Sequence, residues 1–417
     1  MNFKLISLGC KVNSYESNAI REMFLVNGYK EDINKPDVIV INTCSVTAVA
    51  DQKSRQIIRR EKRNNKSAIV VVMGCYSQKN SGYIAEKCDA DIIVGTSNRN
   101  KILTLINQFK SDNKKIILVD KDARHLPYES FGVFAMPEST RAYIKIEDGC
   151  NNFCSYCTIP YTRGQARSRD KEEIKDEIRF LIEKGFKEFI IAGIHTAHYG
   201  LDLKNITFSD LIEEIINIPS LYRLRISSIE ESEIDDKFID LLKKYNNIAD
   251  HLHMPLQSGS KTVLKRMHRK YNVDDFIEKV RRIREVRPNI AITTDVIVGF
   301  PGETEEEFNE TVEFIKKIKF SELHVFPFSA REGTLAYSME NQIDPKVKNE
   351  RVQVLINLSK KLEEEYRNKF IGQELDVILE ERNKKINKLC GYTSNYLKLS
   401  TDLPDKYIGK IVKVKVT

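Results

Sequence analysis

The sequence predicts an α/β protein of three parts: a parallel α/β domain, a partial barrel of six β/α units and a small all-β domain. Three observations carry this expectation. Short, apolar, β-branched runs alternate with helical patterns over most of the chain; the alternation starts again after a polar connector; and after Gly372 only short strands follow. A chain of 417 residues is also long for one domain.

The first part, residues 1–112, contains four strand-like runs separated by helical patterns such as Tyr15–Val26. The runs are Phe3–Leu8, Asp37–Asn42, Ala68–Met73 and Asp91–Val94. Cys10, Cys44 and Cys75 each come just after one of the first three runs. Because ligands gather at the carboxyl edge of an open parallel sheet, we expect these three cysteines to converge.

Residues 113–140 are predicted to form a connector without a large core of its own, and residues 141–366 to form the barrel. Six strands are expected in the barrel: Ala142–Ile146, Glu188–Ala192, Arg223–Ser227, His251–Pro255, Ile292–Val298 and Glu322–Phe326. A barrel of this type carries its site at the carboxyl ends of the strands, and Cys150 follows the first strand.

Two barrel helices carry start signals in the sequence. Asp170 is the expected N-cap of a helix over Lys171–Lys184, with Glu173 as its capping-box partner. Thr304 and Glu307 form a second expected capping box, after a Gly-Phe-Pro-Gly turn. These pairs predict where helices begin and so place the loops at the active end of the barrel.

The last part begins with a charged, mostly helical stretch over residues 345–369. Residues 367–417 then form the predicted all-β domain, with strands Glu374–Leu379, Tyr396–Leu399 and Ile411–Val416. A unit of this size is too small to be very stable alone, so we expect it to dock on the rest.

Composition narrows the class of protein. The 67 basic and 60 acidic residues give a net charge of +7, which permits a nucleic-acid partner without demanding one. The start of the chain lacks the pattern of a signal peptide, and no apolar run is long enough for a membrane span. Cysteines grouped in threes do not form a disulfide framework, so a reducing, cytoplasmic location is expected.

The loop of Cys150, Cys154 and Cys157 is the strongest chemical signal in the sequence. A tight Cys-x3-Cys-x2-Cys loop lets three thiolates reach three irons of a 4Fe–4S cluster, which leaves one iron open for a small molecule. The alternative is a structural zinc site, which usually needs a fourth cysteine or histidine and Cys-x2-Cys spacing.

The N-terminal triad has a simpler alternative, since cysteine is often merely buried. The same placement of Cys10, Cys44 and Cys75 after three successive strands favours a second, auxiliary cluster instead. Cys88 and Cys390 fall outside both triads and are interpreted as ordinary packing or surface residues.

These features resemble the radical S-adenosylmethionine enzymes and, among them, the methylthiotransferases. The cysteine loop and the six β/α units resemble the former, and the N-terminal triad the latter. Stretches that match the methylthiotransferase pattern are Asn42–Cys44, Gly74–Cys75, Pro255–Ser260, Leu264–Tyr271 and Thr294–Thr304. Leu8–Ser17 resembles the subfamily that modifies threonylcarbamoyladenosine in tRNA. The β-rich tail resembles a TRAM domain, a small barrel that often binds RNA.

The resemblance implies an enzyme that transfers a methylthio group to C2 of N6-threonylcarbamoyladenosine at position 37 of tRNA. It implies two 4Fe–4S clusters, S-adenosylmethionine in two roles, an external electron donor and the anticodon stem-loop as partner. The radical from one cofactor molecule would take the C2 hydrogen, while sulfur on the auxiliary cluster would be methylated and delivered. No catalytic side chain beyond the cluster ligands is implied.

Contacts to S-adenosylmethionine are less clear in the sequence. Tyr156 resembles the family's aromatic residue near the adenine, although a packing role is equally consistent. Gly193-Ile-His195 replaces the Gly-Gly-Glu of most such enzymes, so the contact to the amino group stays open. Ser228, Glu230 and Gln257 end later strands and could reach the ribose or carboxylate; Glu230 could equally pair with an arginine. The histidines, His195 among them, are expected to be structural or to line the site.

Two basic stretches, Lys53–Lys66 and Lys261–Arg287, could contact tRNA phosphates or could simply be solvated helix faces. Two alternative functions also remain open. One is the same enzyme type acting on isopentenyl-adenosine in tRNA or on a ribosomal protein. The other is a non-catalytic, metal-containing RNA-binding protein.

Overall fold

The computed structural model describes residues 1–132 and 140–417. An N-terminal sheet domain, an open barrel and a four-stranded C-terminal sheet follow one another along the chain, as predicted. The predicted domain limits stay predictions.

The N-terminal sheet has six parallel strands. In spatial order they are Lys30–Glu31, Asn2–Ser7, Val38–Thr43, Ile69–Gly74, Ile92–Val94 and Ile116–Leu118. Its helices are Lys11–Val26, Ala48–Asn64, Cys75–Lys87 and Ile102–Asp112. Alternate residues of the central strands pack on opposite faces: Val38 and Val40 on one side, and Ile39 and Ile41 on the other. Helices therefore cover both faces, as a parallel sheet requires.

The strand Ile116–Leu118 was not predicted and lies within the predicted connector. It pairs in parallel with Ile92–Val94 and extends the sheet beyond residue 112. Three apolar residues after a run of lysines are too short a signal to separate an edge strand from a linker.

The barrel consists of two three-stranded parallel sheets. One contains Ala142–Lys145, Glu188–Ala192 and Arg223–Ile226, and the other His251–His253, Ala291–Val298 and Glu322–Pro327. Parallel bridges from Leu224 to Ile248 and from Ser228 to His253 join the two sheets into one open array. All six predicted strands are present, and they bring their carboxyl ends to one side.

Helices cover the outside of the barrel and one long helix follows it. They are Ile159–Thr162, Lys171–Glu183, Phe208–Ile216, Asp236–Lys244, Lys261–Arg266, Val273–Val286, Glu305–Ile318 and Pro345–Asn368. Asp170 caps its helix as predicted, but Glu173 turns away and accepts a hydrogen bond from Ser130 Oγ at 2.7 Å. The capping box of Thr304 and Glu307 is formed.

The C-terminal sheet is antiparallel. Its strands, in spatial order, are Lys398–Thr401, Lys388–Thr393, Glu374–Asn383 and Ile411–Lys415, so the sequence missed Lys388–Thr393. The sheet docks on the barrel, where Arg225 donates to Thr393 O at 2.9 Å and the Tyr396 ring stacks on His251 at 4.1 Å. Among the described residues, no helix is both long and apolar enough to cross a bilayer.

Candidate active site

The structure brings Cys10, Cys44 and Cys75 together at the carboxyl edge of the N-terminal sheet. Cys10 directly precedes the helix Lys11–Val26, Cys44 follows the strand Val38–Thr43, and Cys75 opens the helix Cys75–Lys87. The three strands that precede these cysteines are neighbours in the sheet, so the cysteines follow adjacent strand ends. Two of the three sulfurs thus lie at helix N-termini, where the backbone dipole favours a thiolate.

Glycines make the turns that carry two of these cysteines. Gly9 has φ +103°, and a Cβ there would lie 2.9 Å from Cys44 Sγ. Gly74 has φ +101°, and a Cβ there would lie 2.5 Å from the carbonyl oxygen of Thr43. Only glycine allows both this backbone conformation and this close approach. The Gly-Cys pairs at 9–10 and 74–75 are therefore needed to bring the sulfurs to one place.

The second triad lies in the loop after the first barrel strand. The backbone N–H of Asn152 donates to Cys150 Sγ at 3.5 Å, and that of Ile159 donates to Cys157 Sγ at 3.4 Å. Arg269 Nη1 donates to Cys154 Sγ at 3.3 Å. Each sulfur of the loop thus accepts one N–H, which is the environment that a thiolate prefers.

The two triads face each other. The helix Cys75–Lys87, which Cys75 opens, packs against the helix Ile159–Thr162 just after the loop triad. Arg163, which follows that loop, donates its Nε–H to Cys75 Sγ at 3.2 Å. A barrel residue therefore contacts a sulfur of the N-terminal domain directly.

A cavity of about 210 Å³ adjoins the loop triad. Of the residues predicted to contact S-adenosylmethionine, Tyr156, Ser228, Glu230 and Gln257 line this cavity. Gly193 does not; its neighbours Ile194 and His195 do. The remaining wall includes Asn152, Pro255, Arg269 and Asp295.

Glu230 is the most strongly tied carboxylate of the cavity. Arg269 Nη2 lies 2.7 Å from its Oε1, His195 Nε2 lies 3.2 Å from the same oxygen, and Asn152 Nδ2 donates at 3.3 Å. Burial alone would raise the pKa of Glu230, but the nearby His195 ring and the charge of Arg269 outweigh it and lower that pKa to about 2. Glu230 therefore pairs with Arg269 and is ionised at neutral pH. Pairing with an arginine was one of the two roles that the sequence left open for Glu230.

Glu147 lies behind the cavity, next to the position where the expected Gly-Gly-Glu is missing. Its Oε2 accepts the backbone N–H of His195 at 2.9 Å. Its Oε1 is fully buried and has no hydrogen-bond partner among the described residues. Burial raises the pKa of Glu147 well above its ordinary value. A Cβ on Gly193 would lie 2.7 Å from this carboxyl, so Gly193 makes room for Glu147.

Comparisons with known proteins agree with this geometry. Residues 144–315 match the family model of the radical SAM superfamily. Residues 2–95 match that of the uncharacterized protein family UPF0004. The chain is 47% identical, over 98% of its length and 92% of the relative's, to threonylcarbamoyladenosine tRNA methylthiotransferase MtaB of Bacillus subtilis. It is 37% identical, over 98% of both chains, to the protein of the same name from Aquifex aeolicus.

The chain belongs to the radical S-adenosylmethionine methylthiotransferases. Within this family it is also 36% identical, over 100% of its length and 93% of the relative's, to tRNA-2-methylthio-N(6)-dimethylallyladenosine synthase of Clostridium tetani. Among solved structures, TsrM of Kitasatospora setae, a radical S-adenosylmethionine methyltransferase, superimposes with a TM-score of 0.59. That match covers 81% of this chain and 74% of TsrM at 16% identity, so it supports the fold alone.

As a radical S-adenosylmethionine methylthiotransferase, the protein uses a 4Fe–4S cluster and S-adenosylmethionine. The donor set of the loop fits such a cluster. Burial raises the pKa of Cys157 to about 12 and also raises that of Cys150, so these thiols stay neutral unless a cation replaces the proton. Iron would supply that cation at Cys150, Cys154 and Cys157, because a thiol that coordinates a metal ion is deprotonated.

The N-terminal triad has a donor set of the same kind. Burial raises the pKa of Cys75 to about 11, even though the charge of Arg163 opposes that rise. Three converging sulfurs, one of them with a guanidinium already in place, fit a metal cluster better than ordinary packing.

Sequence reasoning missed Arg163, Arg269 and Asn152, which surround the sulfurs. Arg163 and Asn152 stand within a few positions of the cysteine loop, but nothing in the sequence distinguishes them from other polar residues there. Arg269 is 115 residues from Cys154 along the chain. It lies in the stretch Leu264–Tyr271, which matches the methylthiotransferase pattern, but only the docking of that segment shows that Arg269 contacts a sulfur.

The two basic stretches differ in the structure. In Lys261–Arg287, several basic residues already have intramolecular partners: Arg266 pairs with Glu307 at 2.6 Å, and Arg287 with Asp250 at 2.7 Å. In the helix Ala48–Asn64 and just after it, Lys53, Arg63 and Lys66 are exposed and form no ion pair within residues 1–132 and 140–417. The surface that carries Lys53, Arg63 and Lys66 is therefore the better candidate for contacts with tRNA phosphates.

Proposed function

We propose that this protein transfers a methylthio group to C2 of N6-threonylcarbamoyladenosine at position 37 of tRNA by a radical S-adenosylmethionine mechanism. One observation carries the proposal: two cysteine triads lie on either side of the contact between the N-terminal domain and the barrel, in a chain that is 47% identical to a threonylcarbamoyladenosine tRNA methylthiotransferase over 98% of its length. A carbon–sulfur bond at an unactivated C–H position needs both a radical source and a sulfur source, and two facing clusters supply both.

Cys150, Cys154 and Cys157 hold the radical 4Fe–4S cluster in this proposal, and Cys10, Cys44 and Cys75 hold an auxiliary 4Fe–4S cluster. When bound, a cluster with one open iron supplies the electron that cleaves S-adenosylmethionine, or a site that holds sulfur for transfer. With three thiolates in each set, one iron of each cluster stays open.

The chain's own residues position and tune these groups. Arg269 joins Cys154 to Glu230 and so links the loop to the cavity wall. Arg163 donates to Cys75 and also lies 2.8 Å from Glu16 Oε1, which locks the N-terminal domain against the barrel. Tyr156, Ser228, Glu230 and Gln257 offer an aromatic face and polar atoms to S-adenosylmethionine along the cavity wall.

The partners follow from this function. The anticodon stem-loop of tRNA carries the acceptor base, and the exposed cations of helix Ala48–Asn64 support phosphate contacts. Reductive cleavage of S-adenosylmethionine consumes an electron, and the protein's own residues do not supply it. An external electron donor is therefore required. The reaction belongs in the cytoplasm, where tRNA is present and reducing conditions keep thiols free.

Mass spectrometry of tRNA nucleosides tests the proposal. Deleting the gene should abolish the 2-methylthio form of threonylcarbamoyladenosine and leave its unmodified precursor to accumulate. Complementation with the wild-type gene should restore it, whereas a Cys154→Ala gene should not. Unchanged methylthiolation of threonylcarbamoyladenosine in the deletion strain would refute the proposed acceptor.

A second candidate function is methylthiolation of dimethylallyl-adenosine in tRNA. It is favoured by the 36% identity to tRNA-2-methylthio-N(6)-dimethylallyladenosine synthase of Clostridium tetani over the whole chain. The same nucleoside analysis decides it, because the two products differ in mass. Loss of the dimethylallyl product with retention of the threonylcarbamoyl product would select this candidate.

A further inference from the structure

Lys11 is a partly buried cation between the two halves of the molecule. It directly follows Cys10 and is the first residue of the helix Lys11–Val26. Its Nζ reaches across to the barrel and donates to Ser227 Oγ at 3.0 Å. Ser227 stands just after the strand Arg223–Ile226 and beside Ser228, which lines the cavity. The ammonium therefore lies near both the N-terminal triad and the cavity.

The surroundings of Lys11 do not neutralise its charge. Within residues 1–132 and 140–417, no carboxylate lies within 4.0 Å of Lys11 Nζ, and Ser227 is its one hydrogen-bond partner. An ammonium has three N–H donors, so two remain available. A buried cation with one neutral partner is unfavourable unless an anion joins it.

The neighbouring charged groups are mostly positive or already paired. Arg141, Arg225 and Asp295 are the side chains whose charges act on Lys11, together with the Cys10 thiol. Arg141 lies 3.0 Å from Glu380, Arg225 pairs with Glu188 at 2.7 Å, and Asp295 lies 3.2 Å from His253 Nε2. The two arginines therefore already have carboxylate partners, whereas Lys11 has none within 4.0 Å among the described residues, so an anionic ligand group is favoured at Lys11 itself.

The two candidate acceptor nucleosides differ in whether the group attached to the adenine carries a negative charge. The threonylcarbamoyl group ends in a carboxylate, whereas the dimethylallyl group is entirely apolar. We propose that Lys11 binds the carboxylate of the threonylcarbamoyl group and so selects this nucleoside over the dimethylallyl one. This inference rests on the proposed function. Ser227 holds the ammonium in place before the substrate arrives, and the two free N–H groups then donate to the carboxylate.

Binding of modified anticodon stem-loops to the reconstituted holoenzyme tests the inference. Two RNAs are compared that differ only at position 37: one carries threonylcarbamoyladenosine, the other its methyl ester, which keeps the shape and removes the charge. Wild type should bind the acid about tenfold more tightly than the ester, the effect of one charge-assisted contact. Lys11→Met should lose that preference, with affinity for the ester unchanged.

Matched variants complete the design. Lys11→Arg keeps the charge and should retain a preference for the acid. Lys79→Met is the control: Lys79 also reaches from the N-terminal domain to the barrel, but it donates to the backbone oxygen of Glu332 at 2.6 Å. It should leave the acid-to-ester ratio as in wild type.

Equal binding of acid and ester by wild type would overturn the inference without any variant. So would a Lys11→Met protein that keeps the preference. Because each variant is judged by its own ratio of two affinities, a partial loss of folded protein does not alter the result. Failure of the proposed function looks different: wild-type holoenzyme would then form no methylthio product on the threonylcarbamoyl RNA, whatever its binding preference.

Discussion

At the scale of single residues, each cysteine triad has one arginine against one of its sulfurs. Arg163 donates to Cys75 Sγ at 3.2 Å, and Arg269 donates to Cys154 Sγ at 3.3 Å. Both guanidiniums are almost fully buried, so solvent screens them little. A cation so placed favours the more negative state of whatever the thiolate coordinates.

Removing the Arg269 guanidinium should make the radical cluster harder to reduce. In Arg269→Met, the lost charge-assisted bond, about 1.4 kcal/mol, would lower the midpoint potential by about 60 mV. A redox titration followed by electron paramagnetic resonance measures it. Arg266→Met is the control, since Arg266 pairs with Glu307 and contacts no cysteine sulfur. An unchanged potential in Arg269→Met would contradict this role.

Replacing one cysteine from each triad should separate the two proposed sites. Cys154→Ala should lose about four of eight irons and form no 5′-deoxyadenosine, because the loop triad is incomplete. Cys44→Ala should lose the same amount of iron but still form 5′-deoxyadenosine, without methylthio product. Iron analysis and chromatography of the reaction products measure both. The same pattern of products from both variants would contradict the division of roles.

At the scale of elements, strands and capped helices could be predicted from local pattern. The runs that predicted the barrel strands are apolar and β-branched, and the start of helix Glu305–Ile318 follows from Thr304 and Glu307. The start of helix Lys11–Val26 could not be predicted, because its first turns bury Asn13, Glu16 and Ser17. Buried polar residues hide the apolar periodicity on which the prediction depends.

The contribution of the capping box to the stability of helix Glu305–Ile318 can be tested. Thr304→Ala should destabilise this helix by about 1 kcal/mol, because the side-chain acceptor for the Glu307 N–H is lost. Amide hydrogen exchange of the first turn measures the local opening. Thr401→Ala, on a strand of the C-terminal sheet, is the control and should leave exchange in this helix unchanged.

The same helix start should also weaken in acid. The hydrogen bond from Arg266 lowers the pKa of Glu307 to about 2, against partial burial. A folded-state pKa below the ordinary value means that Glu307 stabilises the fold above about pH 4.5, and that this contribution is lost as the pH falls towards 2. Amide hydrogen exchange of the first turn, corrected for its intrinsic pH dependence, should show this loss of stability in wild type. The Glu307→Gln variant should not show it.

The helix Ala48–Asn64 should contribute to the salt dependence of tRNA binding. Changing Lys53, Arg63 and Lys66 to Gln should reduce the slope of log affinity against log salt by about 0.7–0.9 per lost phosphate contact. The matched control changes Lys316, Lys317 and Lys319, which are exposed on a barrel helix, to Gln. An equal loss of slope in both triple variants would mean that the effect is one of net charge alone.

At the scale of the whole molecule, a buried ionic cluster joins the N-terminal domain to the barrel. Glu16 of the first helix lies 2.8 Å from Arg163, 2.9 Å from Lys145 and 2.5 Å from Arg99. Burial alone would raise the pKa of Glu16, but these cations, Arg163 foremost, hold it well below its ordinary value. One fully buried carboxylate therefore contributes to the relative position of the two triads.

In the Glu16→Gln variant, the N-terminal domain and the barrel should separate more readily than in wild type. Removing one partner of a buried ionic cluster leaves uncompensated charges and costs about 3–5 kcal/mol. Thermal unfolding and limited proteolysis measure the effect. Glu31→Gln, which breaks the partly exposed pair with Arg21, is the control and should cost about 1 kcal/mol at most. Similar melting temperatures for the two variants would contradict the role of Glu16.

The sequence by itself determined most of the succession of strands and helices, though not the strands Ile116–Leu118 and Lys388–Thr393, and it determined the placing of both cysteine triads after strands and the family. These follow from local pattern, because apolar periodicity, turn residues and short motifs are read over a few positions. The tertiary structure alone decided that the triads face each other, that Arg163 and Arg269 contact their sulfurs, and that Lys11 reaches Ser227. Those contacts join segments 88 to 216 residues apart. They exist only once the two halves have docked, and no local pattern in the chain records how they dock.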